Sequence, residues 1–273
     1  MASLKNIRKR IQSVEGICKI TSAMSLVASS KLRYFQNLRA ASMAYSKNLE
    51  NLVNALGSLE DCPDYMKKVS GKKLWLIITT HKGFCGGFVT TLLKEAKKQV
   101  DKSDDIWIFG ERGKQAFHKN YPQCVLYPME NKMSVESPLL DALTKALFKK
   151  LQEGAITQVS LLHAHMKNIM SYPSLVQQLF PLKDKESCVE IEPKSSSIIE
   201  HILFHYVRSR LYAAFMESAA CEHAARMIAM DQATKNTKEL VSQLKIVYNK
   251  ERQKMITDEL VEIISGAEAL VVE

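Results

Sequence analysis

The stretch of this sequence best suited to hold a phosphate is Gly83-Phe84-Cys85-Gly86-Gly87. A glycine-rich turn between a strand and a helix leaves backbone N–H groups free to meet an anion. Its glycines match neither the G-x-G-x-x-G spacing of dinucleotide sites nor the G-x-x-x-x-G-K-[ST] of P-loops, and no Lys-Ser or Lys-Thr pair follows. A tight structural turn is therefore expected there. Cys85, beside His81 and Lys82, offers an activated thiolate if exposed and small core filling if buried. His163 and His165 share one face if their segment is a strand, but no third metal ligand follows at a telling spacing. His201 and His205 share a helix face without the glutamate of a zinc-protease motif. No catalytic constellation emerges, so no catalytic residue, metal or cofactor is expected.

The elements that hold these residues alternate. Leu74–Thr80 reads as a buried strand, followed by the glycine-rich turn and a helix from Phe88 to Val100. Strands at Asp105–Gly110, Val125–Tyr127 and Gln158–Ala164 interleave with helices near Arg112–Lys119 and Pro138–Glu153, and Leu175–Leu182 adds an edge strand. This order implies a Rossmann-like α/β domain with a mainly parallel sheet over residues 72–190.

Two long helices flank it. Residues 194–273 have no Pro, and no Gly before Gly266; the apolar positions Ile202, Tyr206, Leu211, Phe215, Met230, Leu240, Leu244, Val247, Leu260 and Ile263 form a stripe. At 1.5 Å per residue a helix from Lys194 to Ser265 is about 100 Å long. Its stripe is interrupted by Asn249-Lys250-Glu251-Arg252-Gln253-Lys254, nearly two turns without an apolar side chain, which suit either solvent or a polar partner. Residues 1–56 read as a second helix, with Ser3 as N-cap and a linker at 57–71 to follow. Leu4, Ile7, Ile11, Val14 and Cys18 step by three and four; Ile17, Ile20, Met24 and Val27 continue with the stripe moved round by one position. An antiparallel coiled coil of the two terminal helices is the simplest way to cover both stripes.

Charge is uneven along the chain. Of a net +9, residues 1–56 carry +7, from nine Lys or Arg against Glu15 and Glu50. The N-terminal arm is a basic rod suited to an acidic surface; few aromatics interleave with its charges, and nucleic acid is not the expected partner. The six cysteines lie far apart, consistent with reduced thiols. No apolar run approaches the roughly 18 residues that span a bilayer, and the charged N-terminus lacks the apolar core of a signal peptide.

With both rods read, the sequence resembles the γ subunits of F-type ATP synthases, the central rotor shaft. The resemblance is carried by Ile7-Arg8-Lys9-Arg10-Ile11 and Lys19–Leu32 at one end, by Gly83-Phe84-Cys85-Gly86-Gly87 in the middle, and by Ala225–Asn236, Tyr248–Gln253, Ile256–Leu260 and Ile263–Ala269 at the other. It implies a coiled coil inside a ring of α and β subunits, with the α/β domain outside, near ε and the membrane c-ring. Arg252 and Gln253 match the family pair that hydrogen-bonds a loop of β. Met24 matches the Met beside the acidic lever of β, and the basic arm, with Arg8, Arg10, Lys19 and Lys31, suits that neighbour; Glu259 falls in a matching segment and is counted with the partner contacts.

The family usually has Lys at Ser22, Asp-Arg at His81-Lys82 and Asn at Val89, so contacts there are expected to differ. The chloroplast type's cysteine-bearing insertion is absent, which argues against redox regulation. The expectation is a non-catalytic rotor subunit coupling proton flow to ATP synthesis. With no organelle presequence, it is placed on the cytoplasmic face of a bacterial inner membrane, touching the membrane only through the complex. The alternative is a free-standing coiled-coil protein whose α/β domain binds a ligand.

Overall fold

A computed structural model describes residues 4–55, 63, 71–127, 137–182 and 196–271. In chain order its elements are α1 (Leu4–Ala55), β1 (Lys73–Ile78), α2 (Phe88–Gln99), β2 (Asp105–Phe109), α3 (Glu111–Phe117), β3 (Cys124–Tyr127), α4 (Pro138–Gln152), β4 (Gln158–Ala164), β5 (Ser174–Phe180) and α5 (Ser196–Val271). Ser3 and the expected linker, apart from Pro63 and Gly71, lie outside the described residues. The chain divides into two compact units, residues 28–226 and residues 1–27 with 227–273.

The larger unit is built on a sheet. Every position of β1 after the first is buried, so this strand needs cover on both faces. It lies at the centre of the order β3-β2-β1-β4-β5, in which the first four strands are parallel. β5 runs antiparallel to β4 because the nine residues joining them are too few for a crossover helix. Leu74, Leu76, Ile78, Trp107, Phe109 and Leu161 form one core with Leu140–Leu151 of α4 and Ile199–Met216 of α5. The opposite face carries Trp75, Ile77, Ile106 and Ile108, under α2 and α3.

The join between β1 and α3 is tight. Thr79 Oγ1 donates to Phe109 O at 2.6 Å, and a Cβ on Gly113 would lie 2.4 Å from that hydroxyl and 2.8 Å from Ile108 Cδ1. Neither neighbour can retreat without losing a buried contact. Gly113→Ala is therefore expected to destabilise this unit by about 1–3 kcal/mol, the usual cost of overpacking; thermal unfolding would show it, and an unchanged midpoint would contradict the packing.

The smaller unit is an antiparallel helix pair. Thr234 Oγ1 donates to Thr21 Oγ1 at 2.8 Å, Ser25 Oγ donates to Met227 O at 3.4 Å, and Lys245 pairs with Glu15 at 3.1 Å, so the numbers fall on one helix as they rise on the other. Among the covered positions a line on α1 runs through Leu4, Ile7, Ile11, Val14, Cys18, Thr21 and Ser25, flanked by half-buried Glu15, Gly16 and Met24; on α5 it runs through Met227, Met230, Thr234, Thr237, Val241, Leu244, Tyr248 and Glu251, flanked by half-buried Ile228, Ala229 and Ala233. Both lines step by three and four, the seam of a coiled coil.

This corrects the expected shift of the stripe after Cys18. The seam stays in register by accepting small and polar residues, while of the expected Ile17, Ile20, Met24 and Val27 only Met24 is half-buried and the others are 50%, 61% and 57% exposed. Leu240 and Val247 on α5 likewise face outward. The hydroxyl pair Thr21–Thr234 satisfies at the seam what an apolar count overlooks, and a buried polar pair of this kind fixes register.

Candidate functional site

Within the smaller unit, the residues singled out from the sequence fall into two groups. Arg8, Arg10 and Lys19 are exposed on α1, and Arg252, Gln253 and Glu259 are exposed on α5. The register set by Glu15–Lys245 brings Arg252 level with the first turns of α1, near Arg8. Met24 lies some 16 residues further along α1, about 24 Å at the rise of a helix, so the sites are two stations on one rod. Around Met24, which is half-buried, Ile17, Ile20, Leu26 and Val27 make an exposed apolar surface outside the seam.

From Arg252 to Ala267 every residue of α5 is exposed. Met255, Ile256, Leu260, Val261, Ile263 and Ile264 are each 48–67% exposed, in a segment where α5 has run past the described start of α1. A contiguous exposed apolar segment of this kind marks a surface meant to be covered. Arg252 and Gln253 stand at its near edge, followed at once by this apolar segment.

In the larger unit the turn after β1 proves structural. Phe84 has φ 62° and Gly86 φ 56°, so the turn holds one bulky residue in a left-handed conformation and exposes its ring. The crevice beyond β1 and β4 is where a doubly wound sheet usually receives a nucleotide. Here α5 lies across it. Arg226 Nε donates to Gly83 O at 3.3 Å, its Nη2 pairs with Glu222, and Cys221 Sγ lies 3.7 Å from Ala164 O.

Cys85 is buried, and burial, with the nearby Glu222 carboxylate, raises its pKa; the activated-thiolate reading is thus replaced by core filling. Burial pushes the Cys221 thiol up to about 12. Lys31, expected at a partner contact, is exposed in this unit, where its charge reaches Glu222 and His223.

His163 and His165 do meet a third group, one the sequence did not reveal. Glu217 of α5, with a side chain only 6% exposed, lies 3.0 Å from His165 Nδ1 and 3.8 Å from His163 Nδ1. It accepts from Arg39 at 2.9 Å and from the Met166 N–H at 3.3 Å. A glutamate inside the small, apolar run Ala213-Ala214-Phe215-Met216-Glu217-Ser218-Ala219-Ala220 was the available signal. No group of His, Cys, Asp and Glu suited to a metal occurs among the described residues.

His223 stacks on Phe35 with ring centroids 5.3 Å apart. Burial, helped by the charges of Arg226, Lys31 and Lys82, lowers its pKa to about 4. Between about pH 6.5 and about 4 the unfolded chain therefore binds a proton that the folded chain refuses, and stability falls as pH drops through that window. His223→Gln is expected to flatten this slope in thermal melts taken from pH 7 to 4; an identical slope would sink the assignment.

The family model described as ATP synthase matches residues 3–270. The chain is 33% identical over 296 residues to the ATP synthase gamma chain of Geobacter metallireducens, with 99% of each chain covered. It is 36% identical over 292 residues to that of Verminephrobacter eiseniae, with 98% of this chain and 99% of the relative covered. The chain belongs to the ATP synthase gamma chain family. Among solved structures, the rotor of the Euglena gracilis mitochondrial ATP synthase shares its fold at a TM-score of 0.68 and 16% identity, covering 93% of this chain and 99% of that one. For an ATP synthase gamma chain, a crevice filled by its own helix and a rod with an exposed end are consistent features: the surfaces are built for contact rather than for chemistry. Among the described residues no helix is long and apolar enough to cross a membrane.

Proposed function

We propose that this chain is the central-stalk rotor subunit of an F-type ATP synthase. It has no catalytic site of its own and couples proton flow through the membrane c-ring to ATP synthesis by the α and β subunits. The observation that carries this reading, beside membership of the family, is the exposed end of α5 from Arg252 to Ala267, which needs a partner to cover it. In this reading segments 1–56 and 194–273 form the shaft, 57–71 is a linker, and 72–190 is the domain that meets ε and the c-ring. The complex sits peripherally on the cytoplasmic side of a bacterial inner membrane, in keeping with bacterial relatives such as that of Geobacter.

The partner contacts follow from the two stations. Arg252 and Gln253 hydrogen-bond β at the exposed end, with Glu259 beyond them. Met24 and its apolar neighbours meet the moving part of β, and Arg8, Arg10, Lys19 and Lys31 steer an acidic surface toward the rod. Tagged chain recovered from native membranes is expected to bring α and β subunits with ATPase activity; recovery of the chain alone would overturn the reading. In assembled complexes, Arg252→Ala is expected to lower coupled ATP synthesis severalfold while leaving helicity unchanged, since the side chain is exposed. Undiminished synthesis would remove Arg252 from the contact.

A further inference from the structure

A concave site lies within the larger unit. It is a cleft of about 320 Å³ between α1, the middle of α5 and the β4–β5 edge, lined by Met43, Ser46, Lys47, His163, Gln177 and Arg210 among others. That volume is at the lower end of small-molecule pockets. Two of its polar side chains are almost wholly buried and each leaves one polar atom without a hydrogen bond. Ser46 is 2% exposed with Oγ unpartnered, and His163 is 1% exposed with Nε2 unpartnered, although the Gln177 amide lies beside its ring. His163 Nδ1 sits 3.0 Å from Ala164 O, which can only accept, so Nδ1 carries the proton and Nε2 presents a lone pair. Burial lowers the pKa of this ring, which favours its neutral form. A buried acceptor and a buried hydroxyl without partners cost stability unless something supplies the missing bonds.

The charges around the cleft select the kind of occupant. Arg39 and Arg210 are matched by Glu217 and Glu50, at 2.8 Å each, and Lys47 adds a third cation with an exposed side chain. The charged lining residues Lys47, Arg210, Glu50 and Glu217 balance, Arg39 offsets Glu217 from outside the lining, and among the described residues Lys47 is the lining cation with no carboxylate partner. Arg210 gives Nη2 to Glu50 and Nε to the Tyr206 hydroxyl, and its guanidinium has further donors. Met43 and Ala213 supply an apolar wall.

We infer that this cleft binds a small phosphomonoester of a polyol, its phosphate held by Lys47 and Arg210 and a ligand hydroxyl bridging Ser46 Oγ and His163 Nε2. Arginine's planar fork suits phosphate oxygens. The ligand hydroxyl donates to Nε2 and accepts from Ser46, which satisfies both orphaned atoms at once. No covalent step is involved, and the inference does not rest on the stalk role.

The test is calorimetric titration of the full chain with glycerol 3-phosphate, beside inorganic phosphate and glycerol as separate probes. Saturable binding of the ester is expected, at least tenfold tighter than either fragment and weakened at least tenfold by Lys47→Ala and by Ser46→Ala. His163 Nε2 should shift in nitrogen NMR on saturation. Because Ser46→Ala removes a buried hydroxyl that has no partner, it should leave the melting temperature of the free chain no lower than the parent's and abolish the rise produced by the ester. Absence of saturable binding, equal binding of inorganic phosphate, glycerol binding as tight as the ester, or variants that bind like the parent would each overturn the assignment.

Discussion

Glu217→Ala is expected to destabilise the larger unit by about 3–5 kcal/mol, the cost of stripping one partner from a buried ion pair. The carboxylate lies under α1 and β4 with a side chain 6% exposed, and four groups converge on it: Arg39, the Met166 N–H, His165 and His163. Alanine leaves the Arg39 guanidinium, itself only 23% exposed, and a buried backbone donor without their acceptor. Glu217→Leu combined with Arg39→Leu removes both charges and should recover much of the loss, because neither is then left uncompensated. Chemical denaturation of the full chain reads both values. A loss below about 1 kcal/mol for the single variant would mean that the cluster is already hydrated and carries little.

Arg226→Ala should cost nearly as much, about 3–5 kcal/mol at pH 8, and for a related reason. Arg226 and Glu222 have side chains 8% and 14% exposed, and the same guanidinium holds the Gly83 carbonyl of the glycine-rich turn. Burial already raises the pKa of Glu222, and Arg226 is the first of the charges that oppose this. Without Arg226 the folded-state pKa rises further. Above it the carboxylate is buried, charged and alone; below it the group takes up a proton and the penalty fades. The difference in stability between parent and variant is therefore expected to be larger at pH 8 than at pH 5. Glu222→Gln on the Arg226→Ala background should erase that pH dependence. A difference independent of pH would show that Arg226 acts through packing alone.

Much of the fold could be read directly from residue patterns. The strand at Gln158–Ala164 was expected with the observed bounds, and helices α2 and α4 end one residue short of expectation, where Gln99 and Gln152 give way to the caps Val100 and Glu153. Runs of buried β-branched residues and long stretches without Gly or Pro are local signals, so they survive translation into structure.

The site was less legible. An apolar count moved the α1 stripe onto Ile17, Ile20, Met24 and Val27, of which Met24 alone is half-buried, whereas the seam runs through Thr21 and Ser25, whose hydroxyls meet residues more than 200 positions away. Cys85, His81 and Lys82 sit together in the sequence as though poised for chemistry, yet burial and Glu222 make a thiolate unfavourable.

The sequence by itself determined the long helices, the alternating α/β order, the basic arm and the resemblance to a rotor shaft, since each depends on neighbours within a few turns or on motifs kept intact along the chain. Only the tertiary structure decided which apolar stripe the helices share, that Glu217 joins His163, His165 and Arg39, and that α5 fills the crevice a nucleotide would need. Those outcomes depend on desolvation and on partners that meet only when distant segments pack, and neither residue type nor spacing encodes that meeting.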